Sequence, residues 1–335
     1  MTGPSPAKIG PIRPRAGNVR REFATQLRRA DADVRLSADW LATGEIGAHA
    51  LQYGVLGYLT VVRDDGVAPY LPRKQRELVA VLLLYAGEPC TRDMLVHTLW
   101  GGRLPARPER ALQVCLCRAR SALGPGGCLR TLDDGALCAE PGPEDLDLTR
   151  FWQLRTAGMR HLEHGHLRPA GLAFQQALAC WRDPPRHDLR IEHALACWRN
   201  PPLPDLPDAP EVAAQRTRLL KERELAWLTL ADILLALGEH DRLLPDLHAR
   251  VVTDPLCERS WAQLMLALHQ SGRSGEALAA YSKARAEIVR ALGTEPGAEL
   301  QHLRDLVLSG IPPASRSCRP SAAGSPAFEL AVSPG

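Results

Sequence analysis

From Leu51 onward the apolar positions change period several times, and each change marks an element. Residues 51 to 71 alternate, with Tyr53, Val55, Leu59, Val61 and Val62 as apolar members and a turn signal at Asp64-Asp65-Gly66. That pattern predicts two or three short strands joined by a hairpin. Arg73-Lys74-Gln75-Arg76-Glu77 then leads into the apolar run Leu78 to Tyr85, which predicts a helix with a charged first turn, stopped by Ala86-Gly87-Glu88-Pro89. Thr91 is the cap of a second helix with Met94, Leu95, Thr98, Leu99 and Trp100 on one side, ended by Gly101-Gly102. A third helix is predicted over Pro108 to Gly124, with Pro108 in its first turn and Gly124-Pro125 as its stop. Its apolar set is Ala111, Val114 or Cys115, Ala119 or Ala122, and Leu123, spaced by threes and fours like one buried stripe. Leu129-Arg130-Thr131-Leu132, Asp133-Asp134-Gly135 and Ala136-Leu137-Cys138 read as strand, tight turn, strand. Strands, three helices and a hairpin are the layout of a winged helix-turn-helix, an α+β domain over 51–141.

Pro141-Gly142-Pro143 reads as a linker, and from 145 to 309 the period is helical throughout. Trp261, Leu264, Ala267, Leu268, Gly272, Ala277, Leu278, Tyr281 and Ala284 come close to the tetratricopeptide pattern of a helix-turn-helix unit. Segments 148–182 and 213–249 read as two further pairs, so the second half is expected to be an all-α, tetratricopeptide-like domain and the whole chain mainly α. Stacked pairs present a concave face suited to another protein; a plain helical bundle is the other arrangement the pattern allows. Within this half, Ala177-Leu178-Ala179-Cys180-Trp181-Arg182-Asp183-Pro184-Pro185 recurs as Ala194-Leu195-Ala196-Cys197-Trp198-Arg199-Asn200-Pro201-Pro202, 17 residues on. Pro-Pro breaks a helix, so the duplication near 177–202 cannot be one rod. One Trp is expected to fill the core slot and the other to pack outside or loop out.

Composition changes the picture mainly at the ends. Residues 1–50, rich in Arg, Pro, Gly and Ala, read as a disordered basic leader with a short amphipathic helix possible in 19–42, and 310–335 reads as a disordered tail. The ordered pattern starts only at Leu51, which puts the expected translation start further in. The 335 residues, 45% hydrophobic and 24% charged, suit two or three globular domains. A net charge of +3 does not by itself demand nucleic acid. No apolar run nears the roughly 20 residues needed to cross a bilayer, and no secretory signal is seen. Nine cysteines without a framework of spacings read as reduced thiols. The expected location is therefore the cytoplasm, in association with the nucleoid.

Candidate chemistry narrows to the third helix. Arg110, Gln113, Arg118 and Arg120 stand off its apolar set, and Arg and Gln can make paired hydrogen bonds to guanine and adenine edges. About sixteen residues make a rod of roughly 24 Å, enough to lie along a groove. These four are assigned to the major groove, Arg130 with the hairpin to phosphate, and Lys74 and Arg76 to the backbone from the first helix. A solvated basic face on a packing helix is the bland alternative. Cys115 and Cys117, two apart on a helix, point about 200° from each other and are poor joint metal ligands. His161, His164 and His166 surround Gly165 and read as a solvated loop. Among catalytic signatures, G-x-S-x-G, paired carboxylates and a phosphate loop with its Lys are missing, so no enzyme, cofactor or metal is expected.

The same residues carry a family likeness. Tyr53-Gly54-Val55-Leu56-Gly57, Pro72-Arg73-Lys74-Gln75-Arg76, Leu99-Trp100-Gly101, Ala111-Leu112-Gln113-Val114 and Ala122-Leu123-Gly124 are followed by Asp145-Leu146-Asp147, Asp205-Leu206-Pro207-Asp208-Ala209-Pro210, Leu264-Met265-Leu266-Ala267-Leu268, Glu276-Ala277-Leu278-Ala279-Ala280-Tyr281 and Leu292-Gly293-Thr294-Glu295-Pro296-Gly297. In this order and spacing, over about 51 to 309, the chain resembles the Streptomyces antibiotic regulatory protein family, in its small type. The resemblance implies an OmpR-type winged helix, a two-component-type effector domain without a receiver, followed by a bacterial transcriptional activation domain over 145–309. It implies an activator of secondary-metabolite (antibiotic) biosynthetic genes that binds direct repeats in double-stranded DNA as a dimer or tandem copies and recruits RNA polymerase. The long members' nucleotide-binding domain has no counterpart motif here. Three positions depart from the pattern: Ala119 where a Leu usually anchors the helix, Asp133-Asp134-Gly135-Ala136 in place of a Gly-Gly-Tyr-like wing tip, and the duplication. They leave open an alternative, a tetratricopeptide-like interaction adaptor with a weakened DNA-binding domain.

Overall fold

The computed structural model describes residues 51–63, 66–181, 202–204 and 206–310. The basic leader, the tail, the tip of the Asp64-Asp65 turn and the second duplicated Trp lie outside these. Two strands come first, β1 (Leu51–Gly54) and β2 (Thr60–Arg63), antiparallel with Tyr53 opposite Val61. The chain reverses between them at 55–59. The turn expected at Asp64-Asp65-Gly66 follows β2 instead, with the Gly66 amide returning to the Arg63 carbonyl at 2.8 Å. The reason is that the Val55 and Leu56 amides point away from the sheet, both onto the buried Asp147 carboxylate at 2.9–3.1 Å.

Helix α1 (Arg73–Leu84) is buried all round, from Leu78 through Leu84. A helix stretch with no polar face must be covered on every side, and α2 (Arg92–Trp100), α3 (Pro108–Leu123) and the later strand Leu137–Ala139 do so. Thr91 caps α2 through Oγ1, which accepts from the Met94 amide at 3.3 Å. The hairpin of β3 (Leu129–Thr131) and β4 (Leu137–Ala139) follows, and β4 is bound in turn to Cys90 at the start of α2. Pro141-Gly142-Pro143 is a tight turn rather than a tether. The Gly142 amide donates to Asp145 Oδ2 at 3.1 Å, the Asp145 carbonyl accepts from Tyr53 at 2.6 Å, and Leu146 bridges to Tyr53.

The remaining described helices follow in succession, each packed on the next: α4 (Asp147–Glu163), α5 (Leu167–Ala179), α6 (Pro210–Ala236), α7 (His240–Thr253), α8 (Glu258–Gln270), α9 (Ser274–Leu292) and α10 (Ala298–Leu308). In α4 and α5 the approach is close enough that a Cβ on Gly158 would sit 2.8 Å from the Phe174 ring. Of the repeat pattern, Trp261, Leu264, Ala267, Leu268, Ala277, Tyr281 and Ala284 are buried in α8 and α9, Leu278 is half-buried, and Gly272 turns between the helices at φ 75°. The first duplicated Trp, Trp181, is buried edge-on against Phe151 with the Arg223 guanidinium 4.8 Å from its ring centre. Where the chain is described again, Leu203 is fully buried at φ 51° and donates to the Gly57 carbonyl at 2.6 Å. Arg216 holds this segment by the carbonyls of Pro202, Leu203 and Leu206.

The apolar core does not break at the turn after β4. One cluster runs continuously from Leu51 to Ile233, and a second gathers the end of α6 with α7 to α10. Asp147 is the polar joint of the first cluster. Asp147→Asn, which keeps the shape and removes the charge that two buried amides share, is expected to lower unfolding free energy by about 1.5–3 kcal/mol. Chemical denaturation of the two chains checks this.

Candidate nucleic-acid interface

The Arg-rich helix α3 begins on Pro108 and ends at Gly124, whose φ of 77° is open to glycine at little cost. Glu109 in its first turn and Arg120 in its last suit the helix dipole. The buried stripe is Leu112, Cys115, Leu116, Ala119 and Leu123. This corrects the expected set: Leu112 and Leu116 belong to it, while Ala111 and Ala122 are half-buried and Val114 is 43% exposed. Ala119, where the family pattern has Leu, is fully buried.

With the stripe turned to α1 and α2, the opposite arc carries Arg110, Gln113, Cys117, Arg118 and Ser121, all exposed. The side chains of Arg110, Gln113 and Arg118 make no hydrogen bond or ion pair to another described residue. The other assigned residues are held differently. Arg120 is half-buried and donates to Thr131 Oγ1 at 2.8 Å, tying the helix to β3. Lys74 donates to Glu77 at 2.6 Å and to the Leu99 carbonyl, and lies 5.8 Å from the Trp100 ring centre. Its ammonium therefore joins α1 to α2 and, with Arg73, satisfies the buried Glu77. Arg76 is exposed on α1. Arg130 is exposed on β3 with long contacts to the Gly127 carbonyl (3.4 Å) and Glu140 (3.9 Å).

Two cations on this side were missed in the sequence. Arg107, just before α3, lines a groove of about 350 Å³ with Arg110, Arg118 and Lys74, whose apolar walls are Trp100, Ala111, Val114 and Cys115. The periodicity could have flagged it, since seven residues before Val114 is the same helix face. Arg92 was not legible at all: its Nε donates to the Gly135 carbonyl at the hairpin tip, 2.9 Å away. There Asp134 accepts from the Ala136 amide at 2.9 Å, so it builds the turn, and the Arg92 guanidinium holds the Gly135 carbonyl beside it.

Other constellations lead nowhere chemically. Cys115 faces inward and Cys117 outward, as their spacing requires. Burial pushes the Cys115 and Cys90 thiols up from 9.0 to about 11, so both are poor nucleophiles and metal ligands. Glu224, Asp254 and Cys257 come within 4.8 Å of one another, but Arg250 donates to Glu224 at 2.8 Å and supplies the positive charge. The His166 ring lies about 6 Å from those of His161 and His164, and His164 and His166 are exposed. No helix among the described residues is long and apolar enough to cross a membrane.

Comparison with known proteins supplies the class: regulators of bacterial transcription. Residues 189–308 match the bacterial transcriptional activator domain. The regulatory protein DnrI of Streptomyces peucetius is 32% identical over 80% of this chain and 95% of its own length. AfsR of Streptomyces coelicolor is 32% identical over 78% of this chain, which spans only 25% of AfsR. A solved structure of Mycobacterium tuberculosis EmbR, in complex with a low-affinity phosphopeptide, superposes with a TM-score of 0.70 at 26% identity, over 80% of this chain and 67% of EmbR. The chain belongs to the Streptomyces antibiotic regulatory protein family.

Two outcomes test this assignment of roles. Lys74→Ala is expected to lower stability by about 1–3 kcal/mol because Glu77 loses a partner inside the fold, whereas Arg118→Ala leaves the melting temperature unchanged. For the raised thiols the protonated form is the one the fold favours. Their contribution is fully present below about pH 9 and is lost as pH rises through about 11. A Cys90→Ala, Cys115→Ala chain should therefore lose less melting temperature than the native chain over that window.

Proposed function

We propose that this chain is a sequence-specific DNA-binding transcriptional activator. In this reading 51–141 is an OmpR-type winged helix, α3 is its recognition helix, β3 and β4 form the wing, and 145–309 is a tetratricopeptide-like activation domain. The observation that supports it best is the arc of α3. Three exposed side chains suited to base edges, Arg110, Gln113 and Arg118, stand off the stripe that fixes the helix, with no side-chain partner among the described residues. Arg107 beside that arc, and Arg130 and Arg92 at the β3–β4 hairpin, suit phosphate. Lys74 and Arg120 contribute by holding the helix in place rather than by touching DNA. A cytoplasmic, nucleoid-associated protein without enzymatic activity follows from the same reading. Membership of the Streptomyces antibiotic regulatory protein family favours promoters of secondary-metabolite genes, direct-repeat sites one helical turn apart, about 10–11 bp, and recruitment of RNA polymerase.

The test is fluorescence anisotropy on labelled duplexes from the chain's own upstream region, titrated at several salt concentrations. Arg110→Ala and Arg118→Ala should each weaken specific binding about 5- to 100-fold where they meet a base. Arg130→Ala should cost affinity evenly across sequences and reduce the salt slope by about one. Wild-type affinity in both helix variants removes α3 as the reader. Absence of binding by the native chain leaves the adaptor reading.

A further inference from the structure

Val114 is a branched apolar side chain at the middle of the charged arc. Placing the residues of α3 at 100° steps puts it within about 30° of the point opposite the buried stripe, nearer than Gln113 or Cys117. Arg110 and Arg118 flank it one turn away on either side, and Arg107 lies a turn beyond Arg110. It is 43% exposed and, with Trp100, Ala111 and Cys115, forms the apolar wall of the groove they rim. A greasy protein partner settling on Val114 would have to strip water from these guanidinium groups and leave them without acceptors. A duplex supplies acceptors on both sides. In the major groove the thymine 5-methyl is the apolar feature that a valine between two arginines can meet.

We propose that Val114 reads thymine, its methyl groups packing on the 5-methyl of one dT in each half-site, between the positions that Arg110 and Arg118 contact. This rests on the DNA-binding reading above. The valine adds selectivity that hydrogen bonding alone does not give, since O4 of thymine is an acceptor much like O6 of guanine.

The experiment begins with selection of a preferred duplex from a randomised library by the full chain. Each dT of that duplex is then replaced singly by deoxyuridine, which removes only the methyl group. One replacement per half-site should weaken the native chain about fourfold, the worth of one buried methyl, and leave Val114→Ala unchanged. Because Val114 is exposed, Val114→Ala should melt as the native chain does. A uniform deoxyuridine scan, or methyl effects that persist in Val114→Ala, overturns the role of Val114 while the DNA-binding reading stands. Failure to select any sequence overturns both.

Discussion

The arrangement depends on one constraint: from Leu78 to Leu84, α1 has no side that water can face. Leu78, Val79, Ala80, Val81, Leu82 and Leu83 are all essentially inaccessible, so neighbours must enclose the helix completely. Helix α3 is one of those neighbours, and it can help enclose α1 only through Leu112, Cys115, Leu116, Ala119 and Leu123. That choice of inner face decides which residues point out. The polar ties are secondary fasteners on the same joint. Lys74 links α1 to the end of α2, Arg63 donates to the Ala122 carbonyl at 3.0 Å, and Arg120 links α3 to the hairpin.

Much of this was legible in the residue pattern, for physical reasons that can be named. Period and punctuation located α1, α2 and α3, because Thr91, Pro108 and Gly124 act within a turn of themselves. The buried pair of α8 and α9 was visible because Trp261, Leu264, Ala277 and Tyr281 fill one shared core. What failed was long-range. Nothing local says that Asp147 draws the Val55 and Leu56 amides out of the sheet, so the reversal between β1 and β2 was placed too late. Nothing local says that Lys74 will find the Leu99 carbonyl, so a cation with an internal partner looked available to phosphate.

The stripe of α3 shows a subtler failure. Ala111 and Val114 have the right spacing for burial, yet Leu112 and Leu116, one step round the helix, take the inner face. Both sets obey the same period, and size decides between them: two leucines cover more apolar area than an alanine and a valine. With the leucines inside, Val114 is left on the outer face, where the groove displays it. The changed hairpin tip also looks different in three dimensions, since Asp134 is engaged by its own turn and Arg92 arrives from α2.

The long helix α6 lies in both apolar clusters, giving Val212 and Leu219 to the first and Leu228 and Leu235 to the second. The edge of β1, the Gly142 turn and Asp147 are likewise interlocked. A chimera cut at that turn, with the first 143 residues grafted from a relative, would expose raw edges on both fragments. The natural seam for such exchanges is inside α6, so the front end of this regulator should be inherited with the helices behind it as a single heritable block.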